Sequence, residues 1–208
     1  MIRLVGTSHI SPKAIKRIRE EIREGADCVA VELDEGRYEA LRRGEKGTYP
    51  SIFFKLLSWL QDRLANKTGV IPGEEMLTAV ERARDRGIGV YLIDRPIYET
   101  MRELQDISVF KKIKLILFSF GKIRKYDFSL DEVPSEEIIR DTIELLEKRA
   151  PELYEVLVNR RDEIMATTLQ ALSQRHDEVI AVVGAGHLPG IKRRFDRRKV
   201  EYVDKTFK

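Results

Sequence analysis

The chain has 208 residues, 35% of them charged against roughly 25% in an average domain, and 38 Lys and Arg offset 35 Asp and Glu to a net charge of +3. That length suits one α/β domain, so small a net charge argues against a nucleic-acid partner, and the mixture of signs predicts a surface dense in ion pairs. A lone cysteine, Cys28, lies in an apolar run, which excludes an internal disulfide framework and fits a reducing compartment; it reads as a small buried hydrophobe.

From the N-terminus, Ile2 to Val5 predicts a first strand. Ser11 can cap the helix that follows and Pro12 suits its first position, after which Ile15, Ile18 and Ile22 share a face. Cys28 to Leu33 is a second strand, and segment 51–64 a strongly apolar helix. Another helix opens after IPGEE, 71–75, and ends near Gly87, before a third strand from Gly89 to Ile93. Segment 109–126 is an apolar helix with interleaved lysines, and 134–174 is helical almost throughout, interrupted near Ala150 and Pro151. Strands from Val179 to Val183 and from Val200 to Val203 complete the order.

Short β-branched runs separated by helices predict an α/β fold: one mostly parallel sheet of about five strands, with a mixed sheet as the alternative, flanked by helices. The helical block is an insertion between the third and fourth strands, and residues 1–208 form one domain. The start MIRLVGTSH lacks the layout of a signal peptide, and no apolar run approaches the ~20 residues that cross a bilayer, so a cytoplasmic location is expected. Phe53, Phe54, Leu57 and Trp59, and the run from Leu115 to Phe120, exceed what one small sheet needs for cover. A homodimer contact or a peripheral membrane contact is expected of one of these helices, and packing on the sheet is the equal alternative.

One pattern occurs twice. RLVGTSHISPK, 3–13, and AVVGAGHLPGI, 181–191, share an apolar strand, Gly-x-x-His, an aliphatic residue and a helix start, and each is followed by another strand. The chain thus contains two β-GxxH-α-β units. In open α/β sheets ligands bind beyond the carboxyl ends of strands, and His9 and His187 each sit at such a turn. If the units pair, the first and fourth strands are neighbours near the sheet centre and both imidazoles converge. Glu32, in VELDEGR, ends a hydrophobic strand, where a charge is costly unless paired or bound to metal. Asp94 and Arg95, in LIDRPI, either reach the same crevice or form a structural ion pair. Arg161 and Asp162 lie mid-helix, where charges usually form a solvated face, and His176 reads as a helix C-terminal cap. Two imidazoles and a carboxylate are a ligand set known from catalytic zinc sites, with Glu32 as third ligand or as general base, and Ser8, Asp94, Arg95 and Asp162 as supporting side chains.

GTSHIS, VELDEGR, PGEEM, LIDRPI, NRRDEIMA and VVGAGHLPGI occur in the order and approximate spacing of the TraB/PrgY pheromone-shutdown family, which the chain resembles nearly throughout. That family is related to Tiki and GumN proteins and to erythromycin-esterase-like (EreA) and ChaN-like proteins. The resemblance implies an EreA/ChaN-like fold and a metal-dependent peptidase site whose paired histidines, Glu and helix Arg fall on His9, His187, Glu32 and Arg161. It also implies a divalent ion such as manganese or cobalt, with zinc admitted by the ligand set, and a peptide as substrate. The family's helix motif usually has an acidic residue before its Arg, where this chain has Arg160.

Other readings compete. GAGHLPG is one residue too long for a dinucleotide fingerprint. IKRRFDRRK, 191–199, is basic, yet only Phe195 interrupts it, so a solvated helix face outweighs phosphate or membrane binding. A module that sequesters a peptide without cutting it, or a ligand-binding module of ChaN type, is the alternative function.

Overall fold

Five runs of small and β-branched residues form the strands β1 (Ile2–Thr7), β2 (Cys28–Val31), β3 (Gly89–Leu92), β4 (Val179–Gly184) and β5 (Val200–Tyr202). The structure, a computed structural model, describes residues 1–7, 12–44, 74–108, 136–195 and 200–202. Ser8, His9, Ser11 and the apolar segments 51–64 and 109–126 lie outside the described residues.

The strands form one sheet in the order β3-β2-β4-β1-β5, and every pairing is parallel. β1 and β4 are therefore neighbours, as the paired motifs predict, in a register that sets Gly6 beside Val183 and Thr7 beside Gly184. β4 separates β1 from β2, and β1 separates β4 from β5, so each of the two units straddles a strand of the other. Every residue of β2 and β4 is buried, which explains why both read as unbroken apolar runs: helices cover both faces of an inner parallel strand. β3, at an edge, alternates between exposed and half-buried.

One face is covered by α1 (Pro12–Glu24) and α3 (Glu74–Arg84). There Ile18, Ile22, Met76, Ala79, Val80 and Ala83 pack on Val5, Val29, Val31, Ile180 and Val182. The other face carries α7 (Arg160–Ser173) and α8 (Leu188–Arg193), with Met165, Ala166, Leu169 and Ile191 against Leu4, Ala30, Ala181 and Val183. Each large buried aliphatic side chain contributes about 1.5–3 kcal/mol of transfer free energy.

The predicted helical block resolves into α5 (Glu136–Arg149), α6 (Pro151–Tyr154), a π-helical turn (Glu155–Asn159) and α7, and the break falls at Ala150 and Pro151 as the proline requires. Two further helices carry no apolar stripe long enough to announce them: α2 (Glu35–Arg42), capped by Asp34, and α4 (Ile97–Asp106), entered through Pro96. No helix among the described residues is long and apolar enough to cross a membrane. Cys28 is buried, and burial, with Asp27 adding to it, pushes its thiol up to about 11.

Candidate functional site at the strand ends

Glu32 follows the last residue of β2, and its N–H still bonds to Val182 O at 3.0 Å, so its side chain is held against the end of β4. That carboxylate is only 5% exposed. Its burial is compensated from two directions: Gly184 N–H donates to Oε2 at 2.6 Å, and Arg161 Nη2 donates to Oε1.

Arg161 comes from the first turn of α7 on the face that β2 turns toward it. The same guanidinium grips Asp94, just beyond β3, through Nε at 3.1 Å from both carboxylate oxygens and Nη2 at 2.5 Å from Oδ2, while Nη1 donates to Leu157 O at 3.4 Å. Burial alone would raise the Asp94 carboxyl, but the Arg161 and Arg37 guanidiniums outweigh it and hold it below the ordinary range. Burial likewise works against the Arg161 charge, and Glu32 and Asp94 reverse that, raising it.

His187 closes a single 3-10 turn, Ala185–His187, after β4, and α8 starts at the next residue with Pro189 in its first turn. Its Nε2 lies 3.3 Å from Glu32 Oε1 and its Nδ1 lies 2.6 Å from Asp162 Oδ1. Burial would lower the imidazole; the Glu32 charge and the Asp162 hydrogen bond outweigh burial and the repulsion from Arg161, and the ring is pushed up to about 9. Burial raises the Asp162 carboxyl, against the pull of His187.

The structure thus brings Glu32, His187, Arg161, Asp94 and Asp162 into one buried cluster. Arg161 and Asp162 are not a solvated face: their side chains are 16% and 0% exposed, because the first turn of α7 points at the strand ends. Arg95 leaves the cluster, reaching Glu103 at 3.1 and 3.0 Å and Glu99 at 3.2 Å. Its neighbour Asp94 stays. His176 lies just past the end of α7, its N–H bonded to Leu172 O at 3.0 Å, and its ring meets Tyr91 with Nε2 3.2 Å from the hydroxyl.

Two side chains escape the sequence reading. Arg37, in the first turn of α2, bridges Asp94 and Asp34, the latter at 2.5 Å from its Nε; the signal was the Asp-x-x-Arg spacing inside VELDEGR. Glu75, in PGEEM, is buried at the start of α3, where Thr7 Oγ1 at the end of β1 donates to it at 3.4 Å. Gly6 is small for a local reason: a Cβ there would stand 2.4 Å from Leu188 Cδ1, so the end of β1 and the start of α8 interlock.

Among the described residues no group of three or more His, Cys, Asp or Glu side chains is arranged to hold a metal ion. The two donors that do meet, His187 Nε2 and Glu32 Oε1, are of the kind zinc, manganese and cobalt accept, and Asp162 stands behind the ring as the partner of a ligating histidine does. The donor chemistry therefore fits a divalent ion as two of its ligands.

A buried carboxylate and imidazole at the carboxyl ends of a parallel α/β sheet, both held by one helix, define the class of the site. The chain belongs to the TraB/PrgY/gumN family, whose model matches residues 1–199. It is 34% identical over 208 residues to an uncharacterized protein of Methanocaldococcus jannaschii, a match covering 92% of this chain and 52% of that protein. It is 25% identical over 232 residues to the TraB domain-containing protein of Bos taurus, covering 91% of this chain and 61% of that one. The Homo sapiens protein of the same name is 24% identical, with the same coverage. The chain spans about half the length of the archaeal relative.

Proposed function

We propose that the chain is a peptide hydrolase in which water is activated between Glu32 and His187, with a divalent ion, manganese, cobalt or zinc, held by His187, Glu32 and His9. The observation that supports this most is the Glu32–His187 pair: a carboxylate and an imidazole 3.3 Å apart, each supported from behind, at the carboxyl ends of the inner strands, where α/β folds bind ligands. When bound, the ion would lower the pKa of its water toward about 7 and polarise the scissile carbonyl.

Glu32 is either a ligand or the base. As base, it takes one proton from the attacking water, whose oxygen adds to the carbonyl carbon; the proton then passes to the amide nitrogen as the C–N bond breaks. Arg161 is a positioning residue in this reading, since its donors are engaged by Glu32, Asp94 and the Leu157 carbonyl, and it holds the Glu32 carboxylate in place.

The test measures bound metal and hydrolysis of a broad peptide library for wild type, His9→Ala, His187→Ala and Glu32→Gln. Loss of metal in either histidine variant supports ligation, and retained metal with lost turnover in Glu32→Gln identifies the base. If the wild type takes up no divalent ion on reconstitution and cuts no peptide, the hydrolase reading fails and a peptide-sequestering module replaces it.

A further inference from the structure

We propose that Asp162 is a positioning residue that keeps a proton on His187 Nδ1 and so reserves Nε2 for the crevice, and that residue 190 is glycine because this carboxylate fills the space of its side chain. The distances decide the first half. At 2.6 Å from Asp162 Oδ1, an unprotonated Nδ1 would set its lone pair against a carboxylate oxygen, which is repulsive; a proton between them makes a short, charge-assisted bond. On the other side of the ring Glu32 Oε1 stands farther off, at 3.3 Å from Nε2. The shorter contact fixes the proton, whether the ring is neutral or charged, and Nε2 faces the working carboxylate.

The second half rests on crowding. Asp162 is 0% exposed, and its Oδ2 has no hydrogen-bond partner among the described residues. A Cβ built at Gly190 would lie 1.6 Å from that Oδ2 and 2.6 Å from the carboxylate carbon, far inside contact distance. Helix α8 thus closes over Asp162 at a position where only hydrogen fits. The carboxylate is pinned between Gly190 and the ring, and it cannot turn away from Nδ1. Arg161 holds Glu32 and Asp162 holds His187, so two consecutive residues of α7 fix both members of the pair. What this means for catalysis rests on the hydrolase reading; where the proton sits does not.

The experiment uses the full chain labelled with 15N-histidine and free of metal. Only three histidines are present, and His187→Gln identifies the signal of interest. The expected result is a downfield, slowly exchanging Nδ1–H in wild type that is lost in Asp162→Ala. The isosteric Asp162→Asn, which keeps an acceptor without the charge, should move it upfield, as should Gly190→Ala, which displaces the carboxylate. Backbone amide spectra of the last two variants, recorded on uniformly 15N-labelled samples, report whether the sheet is intact, so the test holds even where Asp162→Ala folds poorly. A wild-type ring with no proton on Nδ1, or a signal unmoved in both Asp162→Asn and Gly190→Ala, overturns the proposal. Loading with Zn2+ separates the two readings. Displacing the Asp162 carboxylate from the ring should weaken its affinity in Gly190→Ala roughly 10–100-fold, whereas a wild type that binds no Zn2+ removes the metal site and leaves the proton's location standing.

Discussion

Arg161 sits where two buried acids would otherwise face each other across the ends of β2 and β3. Its guanidinium answers Glu32 and Asp94 together, which a planar fork with several donors does and a single ammonium does not. Replacing it by Met strips both buried carboxylates of the guanidinium they share, leaving Glu32 with Gly184 N–H and His187, and Asp94 with Arg37 and the Arg95 N–H. Removal of one partner from a buried pair costs about 3–5 kcal/mol, so Arg161→Met should destabilise the chain by that order in urea unfolding, and Arg161→Lys by less. A loss under about 1 kcal/mol for the Met variant would show that water already solvates the cluster. Glu32 could be found from sequence because a carboxylate ending an apolar run has few explanations. Arg161 could be found only through its family motif, because helix charges look alike whether they face solvent or a crevice. The contact of Asp162 with Gly190 left no trace in the sequence, since 28 residues separate two positions that only the packing of α7 on α8 brings together.

At the scale of elements, the π-helical turn from Glu155 to Asn159 joins two helical pieces whose apolar faces serve different partners. On α6, Leu153 packs with Leu104, Ile107 and Ala150, and on α7 Met165, Ala166 and Leu169 pack on the sheet. One extra residue in the turn reconciles these faces, since each residue turns an α-helix by about 100°. Two carbonyls of the turn also meet guanidiniums: Arg161 reaches Leu157 O at 3.4 Å, and Arg194 reaches Asn159 O at 3.3 Å. Deleting Leu157 should convert the turn to regular helix and rotate Leu153 out of its cluster. The expected cost is about 2–5 kcal/mol, the range for losing a buried leucine, with helical circular dichroism retained. Unchanged stability in urea would mean that the turn is not what aligns the two faces. No propensity separates a π turn from α-helix, so the sequence reads 134–174 as plain helix with one break. The inner strands β2 and β4 were legible because buried parallel strands are continuous apolar runs, whereas α2 was not, because its cap Asp34 and its Arg37 belong to the site, nor was α4, which is short and has no side-chain cap.

For the whole molecule, the cluster works as a clamp. It ties β2, the segment after β3, the end of β4, α2 and α7 through contacts between residues as far apart as Glu32 and Gly184. Proton binding at the strand ends is therefore coupled to global unfolding, and the signs can be worked out. His187 has a folded pKa of about 9 against an ordinary 6.5, so the stability it contributes is complete below 6.5 and is lost as pH rises through 9. Asp94 is depressed from an ordinary 3.8, so its contribution is complete above that value and disappears as pH falls through its lower folded pKa. Asp162 is raised from the same ordinary value and opposes Asp94 there. In chelator-treated protein, the urea midpoint should fall between pH 6.5 and 9, while His187→Gln, less stable at pH 6, should show a flatter profile across that window. The difference between the two proteins should shrink by at least about 1 kcal/mol from pH 6 to pH 9, since each unit of pKa shift corresponds to about 1.4 kcal/mol. Parallel profiles for the two proteins would mean that His187 is neutral in the fold at pH 6, and the imidazole would then hold the clamp together as a hydrogen-bond donor and not as a cation.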